Sequence, residues 1–217
     1  MYKNSRNLLF LKLPVLFLTF TGCFSLSTFQ SPQVLEKGQK SFGLGTAGFY
    51  DHESKNYAIS EFDIFGRYGL TNQLDGGIKI FGLPFLFGGI QADLKYQLVN
   101  EPLFVSLDMA SFYAIASTSD DEDENSIATF GFTPLILVGN RWLFSGVKIN
   151  YFTRVDKIDF LGSSTKPRSF TNMPALVFGV KLGKKAHFIP EVNIYFLDGD
   201  TVLLFGLGLQ GRASVSK

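Results

Sequence analysis

From Gly38 onward the chain is a succession of amphipathic segments in which apolar and polar residues alternate, each bounded by turn residues. A period of two is the signature of the pleat, and no long helical periodicity competes with it. Strands are expected at about 40–50, 57–69, 73–82, 85–98, 102–115, 126–138, 141–153, 171–182, 185–196 and 201–211. That is an even number, and most of the segments reach the roughly 9–11 residues that cross a hydrocarbon layer at a tilt. The 24 Phe, 8 Tyr and 22 Gly fit this reading, since aromatics favour strands and glycine favours tight turns.

The connections are unequal. Leu70-Thr71-Asn72, Asn100-Glu101, Gly139-Asn140 and Gly183-Lys184 are tight turns on one edge. The other edge carries Asp51–Asn56, the acidic stretch Ser117–Asn125 and the long Arg154–Phe170, although Leu83-Pro84 and Asp198-Gly199 there are short. Outer-membrane barrels have short periplasmic turns and longer external loops.

Parity sorts the side chains. Phe62, Ile64 and Tyr68 oppose Glu61, Asp63 and Arg67; Leu94 and Tyr96 oppose Asp93 and Lys95; Leu107 and Met109 oppose Asp108. The same alternation puts Asp75, Lys79, Lys148, Lys181 and Glu191 on the polar face. Alternation alone fits two solutions. A transmembrane barrel wets its polar face inside, and a lipid-tethered soluble, lipocalin-like ligand-binding barrel buries its apolar one. The loop asymmetry, the scarcity of charge at mid-strand outward positions and the outward Tyr68, Tyr96, Tyr113 and Tyr151 near the two edges favour the first. In a narrow lumen the opposed charges are expected to pair and plug the barrel, because an unpaired buried charge costs several kcal/mol, of order 3–5. A narrow charged pore, or a transporter for small solutes or lipids, is the alternative.

Ahead of the strands, Lys3 and Arg6 precede an apolar run from Leu8 to Phe20 containing Lys12 and Pro14, and then the small pair Thr21-Gly22. This reads as an export signal, with residues 1–22 expected to be removed, ordinary signal-peptidase cleavage nearby being the alternative to lipoprotein processing. Phe20-Thr21-Gly22-Cys23 resembles the bacterial lipobox in the relaxed form found in spirochaetes, and the resemblance implies lipidation of Cys23. Residues 23–38 then read as a lipidated linker feeding strand one from the short-turn side, and 39–217 as one barrel domain.

The 20 basic and 19 acidic residues nearly cancel, so no positive field draws nucleic acid. His52 and His187 sit at opposite edges on this topology, and His52, beside Asp51, Glu53 and Ser54, crowds a loop instead of a barrel wall. Asp120–Glu124 lacks calcium-loop spacing, and Lys166 and Arg168 read as solvated loop charge. Gly43, Gly45, Gly48, Gly206 and Gly208 are expected to ease crowding where the first and last strands close the barrel. Neither enzymatic activity, metal nor cofactor is expected.

Over about 39–211, the Gly/Phe-rich first strand, Arg67-Tyr68-Gly69-Leu70-Thr71-Asn72-Gln73-Leu74-Asp75-Gly76-Gly77 and the repeated hairpins resemble uncharacterised outer-membrane β-barrel proteins. The resemblance implies an all-β, antiparallel up-and-down transmembrane barrel of about ten strands. It also implies residence in the lipid bilayer and insertion by the outer-membrane assembly machinery, but carries no activity over to residues here; a structural or surface-interaction role, with the lumen closed to bulk solute, is the expectation.

Overall fold

The computed structural model describes residues 25–51, 56–84, 86–120, 123–156, 170–184, 186–197 and 200–213. They build β1 (Lys40–Asp51), β2 (Asn56–Gly69), β3 (Leu74–Leu83), β4 (Phe87–Val99), β5 (Phe104–Asp120), β6 (Asp123–Gly139), β7 (Leu143–Asp156), β8 (Thr171–Val180), β9 (Ala186–Leu197) and β10 (Asp200–Ala213). Each strand pairs antiparallel with its neighbours in sequence, and β1 closes onto β10 from Lys40↔Ala213 to Phe49↔Leu204. Closure leaves no free edge strand among the described residues, although β8 and β9 pair only over Ala175–Gly179 and Glu191–Tyr195. Even the shortest strands, β3 and β8, have 10 residues, enough to cross a bilayer at a tilt.

The pleat then decides between the two solutions. Ile64, Ile78, Leu94, Val147 and Leu209 are each more than half exposed on the outer wall, while Glu61, Asp63, Asp75, Lys79, Lys95 and Asp108 are each no more than 3% exposed inside it. In water such an arrangement would wet a continuous apolar wall and bury charge, both unfavourable. In a bilayer the apolar wall is in its preferred solvent. The fold is a ten-stranded transmembrane β-barrel, and the lipocalin-like alternative, which needs its apolar face inside, is excluded. Tyr68, Tyr96 and Trp142 are exposed near the short-turn edge. Towards the other edge Tyr113 packs on Phe130 at 5.5 Å and Phe132 stacks on Tyr151 at 4.8 Å. These are the two aromatic girdles of such a barrel.

One connection differs from the sequence expectation. The acidic stretch read as a loop continues the β5–β6 ladder through Ser117↔Ser126, Thr118↔Asn125, Ser119↔Glu124 and Asp120↔Asp123. Ser and Thr tolerate extended backbone, and a ladder already nucleated below extends at little cost in entropy. The hairpin therefore stands well beyond its neighbours, with β5 and β6 each 17 residues long. His52, Lys166 and Arg168 lie outside the described residues.

Candidate functional site: the barrel lumen

The eleven charged residues that parity assigns to the polar face are all buried, none more than 7% exposed. They do not all pair with one another. Near the short-turn edge Arg67 Nη2 lies 2.5 Å from Asp75 Oδ1 and 2.6 Å from Asp93 Oδ1, and Lys95 Nζ lies 3.7 Å from Asp75 Oδ2. Among the described residues, Glu61, Asp63, Lys79, Asp108, Lys148, Lys181 and Glu191 have no oppositely charged side chain within the 4.0 Å that defines an ion pair.

Most of them meet the segment that the sequence reading treats as a linker. Ser25, Ser27, Thr28, Phe29, Gln30, Ser31 and Leu35 are buried inside the barrel. The segment descends from the level of Glu61 to the short-turn edge, where Gly38 N donates to Gly69 O (2.8 Å) and the chain turns into β1. Strand one is thus fed at the short-turn edge, as expected, by a segment that reaches it through the lumen. The reason is physical. The strands facing the segment spend most of their backbone groups on their neighbours, so a segment in the lumen satisfies its own groups chiefly with wall side chains.

Carboxylates take the N–H groups. Glu61 accepts from Leu26 N (3.1 Å) and Ser27 N (2.7 Å), Glu191 from Thr28 N (2.6 Å) and Phe29 N (2.7 Å), and Asp75 from Leu35 N (2.8 Å). Asp63 accepts from the Ser27 hydroxyl. Ammonium groups take the carbonyls. Lys148 donates to Leu26 O (2.7 Å), Lys79 to Ser27 O (2.9 Å), and Lys95 to Ser31 O and Gln33 O (both 3.0 Å). Lys181 reaches Ser31 Oγ (3.2 Å) and Gln33 Oε1 (3.3 Å). A peptide carrying a donor and an acceptor at each residue bridges acids and bases that never touch. The expected plug of direct ion pairs is therefore confined to the Arg67 cluster.

One ring anchors the segment. Phe29, 1% exposed and with φ of 47°, stacks on Phe65 at 6.0 Å. It lies against Gly45, Gly206 and Gly208, where an added Cβ would stand 2.3, 2.9 and 2.8 Å from its atoms. Those three glycines provide a floor for an aromatic ring, a role more specific than easing closure. A non-glycine residue at positive φ costs about 1–2 kcal/mol, so the pocket must over-determine that conformation.

Above this polar level the inward face turns apolar. Ala47, Phe81, Phe112, Ala114, Phe152, Met173, Tyr195 and Leu204 form one buried cluster, and Leu26 packs against it from the segment. The Tyr195 hydroxyl donates to Leu26 O at 2.5 Å. Sequence reasoning missed this layer, although its signal is present: Asp75 and Lys79 share the parity of Phe81, and Asp108 that of Phe112. Beside the segment, between Gln30, Gln91, Asp108, Lys148 and Asn150, remains a cavity of about 20 Å³, room for about one water molecule. His187 lies near the short-turn edge, with Nδ1 3.2 Å from Gly183 O.

No protein-family model matches the chain, and no curated protein matches it. Solved structures that resemble it include an outer-membrane channel from Pseudomonas putida F1 (9% identity, TM-score 0.44, covering 87% of this chain and 100% of that one). Others are the Yersinia pestis outer-membrane protein Ail in a nanodisc (13%, 0.35, 82% and 100%) and the N-terminal barrel domain of Pseudomonas aeruginosa OprF (11%, 0.34, 82% and 100%).

Proposed function

We propose that the protein is an outer-membrane barrel closed to bulk solute by its own N-terminal segment, with a structural or surface-interaction role and no catalytic one. The observation that carries this reading is the bonding of the Ser25–Leu35 backbone to buried wall charges, with space for about one water left beside it at the Asp108 level. The β5–β6 hairpin, whose ladder runs four residue pairs past its pairing with β4 and β7 on the longer-loop edge, supplies a surface for contact outside the membrane. Insertion falls to the outer-membrane assembly machinery. In planar bilayers the full-length protein is expected to give no steady current. A steady ohmic conductance from correctly folded protein would replace this reading with that of a narrow pore.

Cys23 is the proposed lipidation site, on the strength of Phe20-Thr21-Gly22-Cys23. One residue, Phe24, separates it from buried Ser25, two chain steps or about 7 Å when extended, so a lipid there constrains how the segment enters the lumen. Metabolic palmitate labelling is expected in the wild type and lost in Cys23→Ser. Export and cleavage without label would make the signal peptide an ordinary one.

A further inference from the structure

We infer that the lumen is a binding site for an extended peptide, recognised through its backbone and one aromatic side chain, and that Ser25–Leu35 is its tethered occupant. The inference deepens the closed-lumen reading by naming what the wall recognises. Six N–H groups of the segment, those of Leu26, Ser27, Thr28, Phe29, Val34 and Leu35, are bound by wall side chains, as are the carbonyls of Leu26, Ser27, Ser31 and Gln33. Contacts to backbone groups read the course of the chain, including its turn at Phe29, and not a sequence.

A lumen that merely filled itself would do so by pairing its own acids with its own bases, as Arg67 does with Asp75 and Asp93. Glu61, Glu191, Lys79 and Lys148 instead stand apart, each aimed at a peptide group. Specificity enters at Phe29, whose ring occupies space that exists only because positions 45, 206 and 208 carry no side chain. The ligand class is therefore an extended polypeptide with an aromatic residue at the Phe29 position and small hydroxyl residues around it, as in Ser27, Thr28 and Ser31.

The test separates binding from tethering. In the full-length chain with Cys23→Ser, a protease recognition sequence is inserted at the exposed Glu36-Lys37 turn, and the folded protein is cut in detergent. Retention of the released piece is followed by gel filtration and mass spectrometry, beside the same protein carrying Phe29→Ala. The piece with Phe29 is expected to stay on the barrel, and the Phe29→Ala piece to leave about tenfold faster or more. Barrels that have lost their piece are then expected to take up a labelled synthetic Ser25–Leu35 peptide. Equal retention of the two pieces, or equally rapid loss of both, would overturn the inference. Conductance of the uncut protein is read separately, so a tether-held plug would leave the closed-lumen reading standing while this one fell.

Discussion

Arg67→Met is expected to destabilise the folded barrel by about 3–5 kcal/mol, the cost of removing one partner from a buried ionic cluster. Its guanidinium is the common partner of Asp75 and Asp93, and all three are buried. Without it the only cation among the described residues within 4.0 Å of either carboxylate is Lys95, at 3.7 Å from Asp75. Arg67→Lys should recover only part of the loss, because Nε and Nη2 both donate to Asp75 while Nη2 also faces Asp93, a fork that an ammonium cannot reproduce. Urea titration in lipid vesicles, followed by the gel-mobility difference between folded and unfolded barrel, gives the number. The exposed Arg141–Glu101 pair is the internal control, and Arg141→Ala should change stability by less than about 0.5 kcal/mol. A shift of under about 1 kcal/mol for Arg67→Met would mean that the cluster is hydrated instead of buried.

Ile78→Arg is the second large effect, about 2–4 kcal/mol, because it places a charge in hydrocarbon near the membrane midplane. Ile78 is the middle of β3, 57% exposed, and its ladder partners are Gly66 and Ala92. Leu107→Arg should cost less. The sequence-based centre of strand five falls there, but β5 extends to Asp120 and Leu107 pairs with Tyr96 in the girdle near the short-turn edge, where charge is better tolerated. Asp108→Asn keeps a polar group on the inward wall and should cost less than Ile78→Arg. In the Cys23→Ser background, a thiol at 78 should react with a maleimide dissolved in the membrane and resist a water-soluble one.

These two effects separate what the sequence made legible from what it hid. Alternation in segments such as Phe62–Tyr68 and Ile90–Tyr96, punctuated by turns such as Leu70-Thr71-Asn72, specifies strands and faces because the pleat leaves no other option. Closure, and which face lies outside, followed from loop asymmetry and the distribution of charge. Three things were hidden for reasons that can be named. The acidic tip of β5–β6 has a loop's composition, and only its register with the partner strand keeps it extended. The apolar inner layer begins partway up the same strands that carry charge lower down, so a single label for each face misses the change at Phe81 and Phe112. Ser25–Leu35 has neither strand alternation nor helical period, and its conformation is dictated by residues as distant in sequence as Glu191. Local pattern holds no information about such a partner.

The occupied lumen is tested most directly by joining the segment to the wall. Ser27 Oγ donates to Asp63, 36 positions away in sequence. In Cys23→Ser protein carrying Ser27→Cys and Asp63→Cys, a short bifunctional thiol reagent applied to native membranes should link the two positions in most molecules. The cross-linked chain should keep an altered gel mobility after full denaturation, and a bulky water-soluble maleimide should reach neither thiol. Failure to cross-link, together with free aqueous labelling at position 27, would place Ser25–Leu35 outside the barrel and contradict the account.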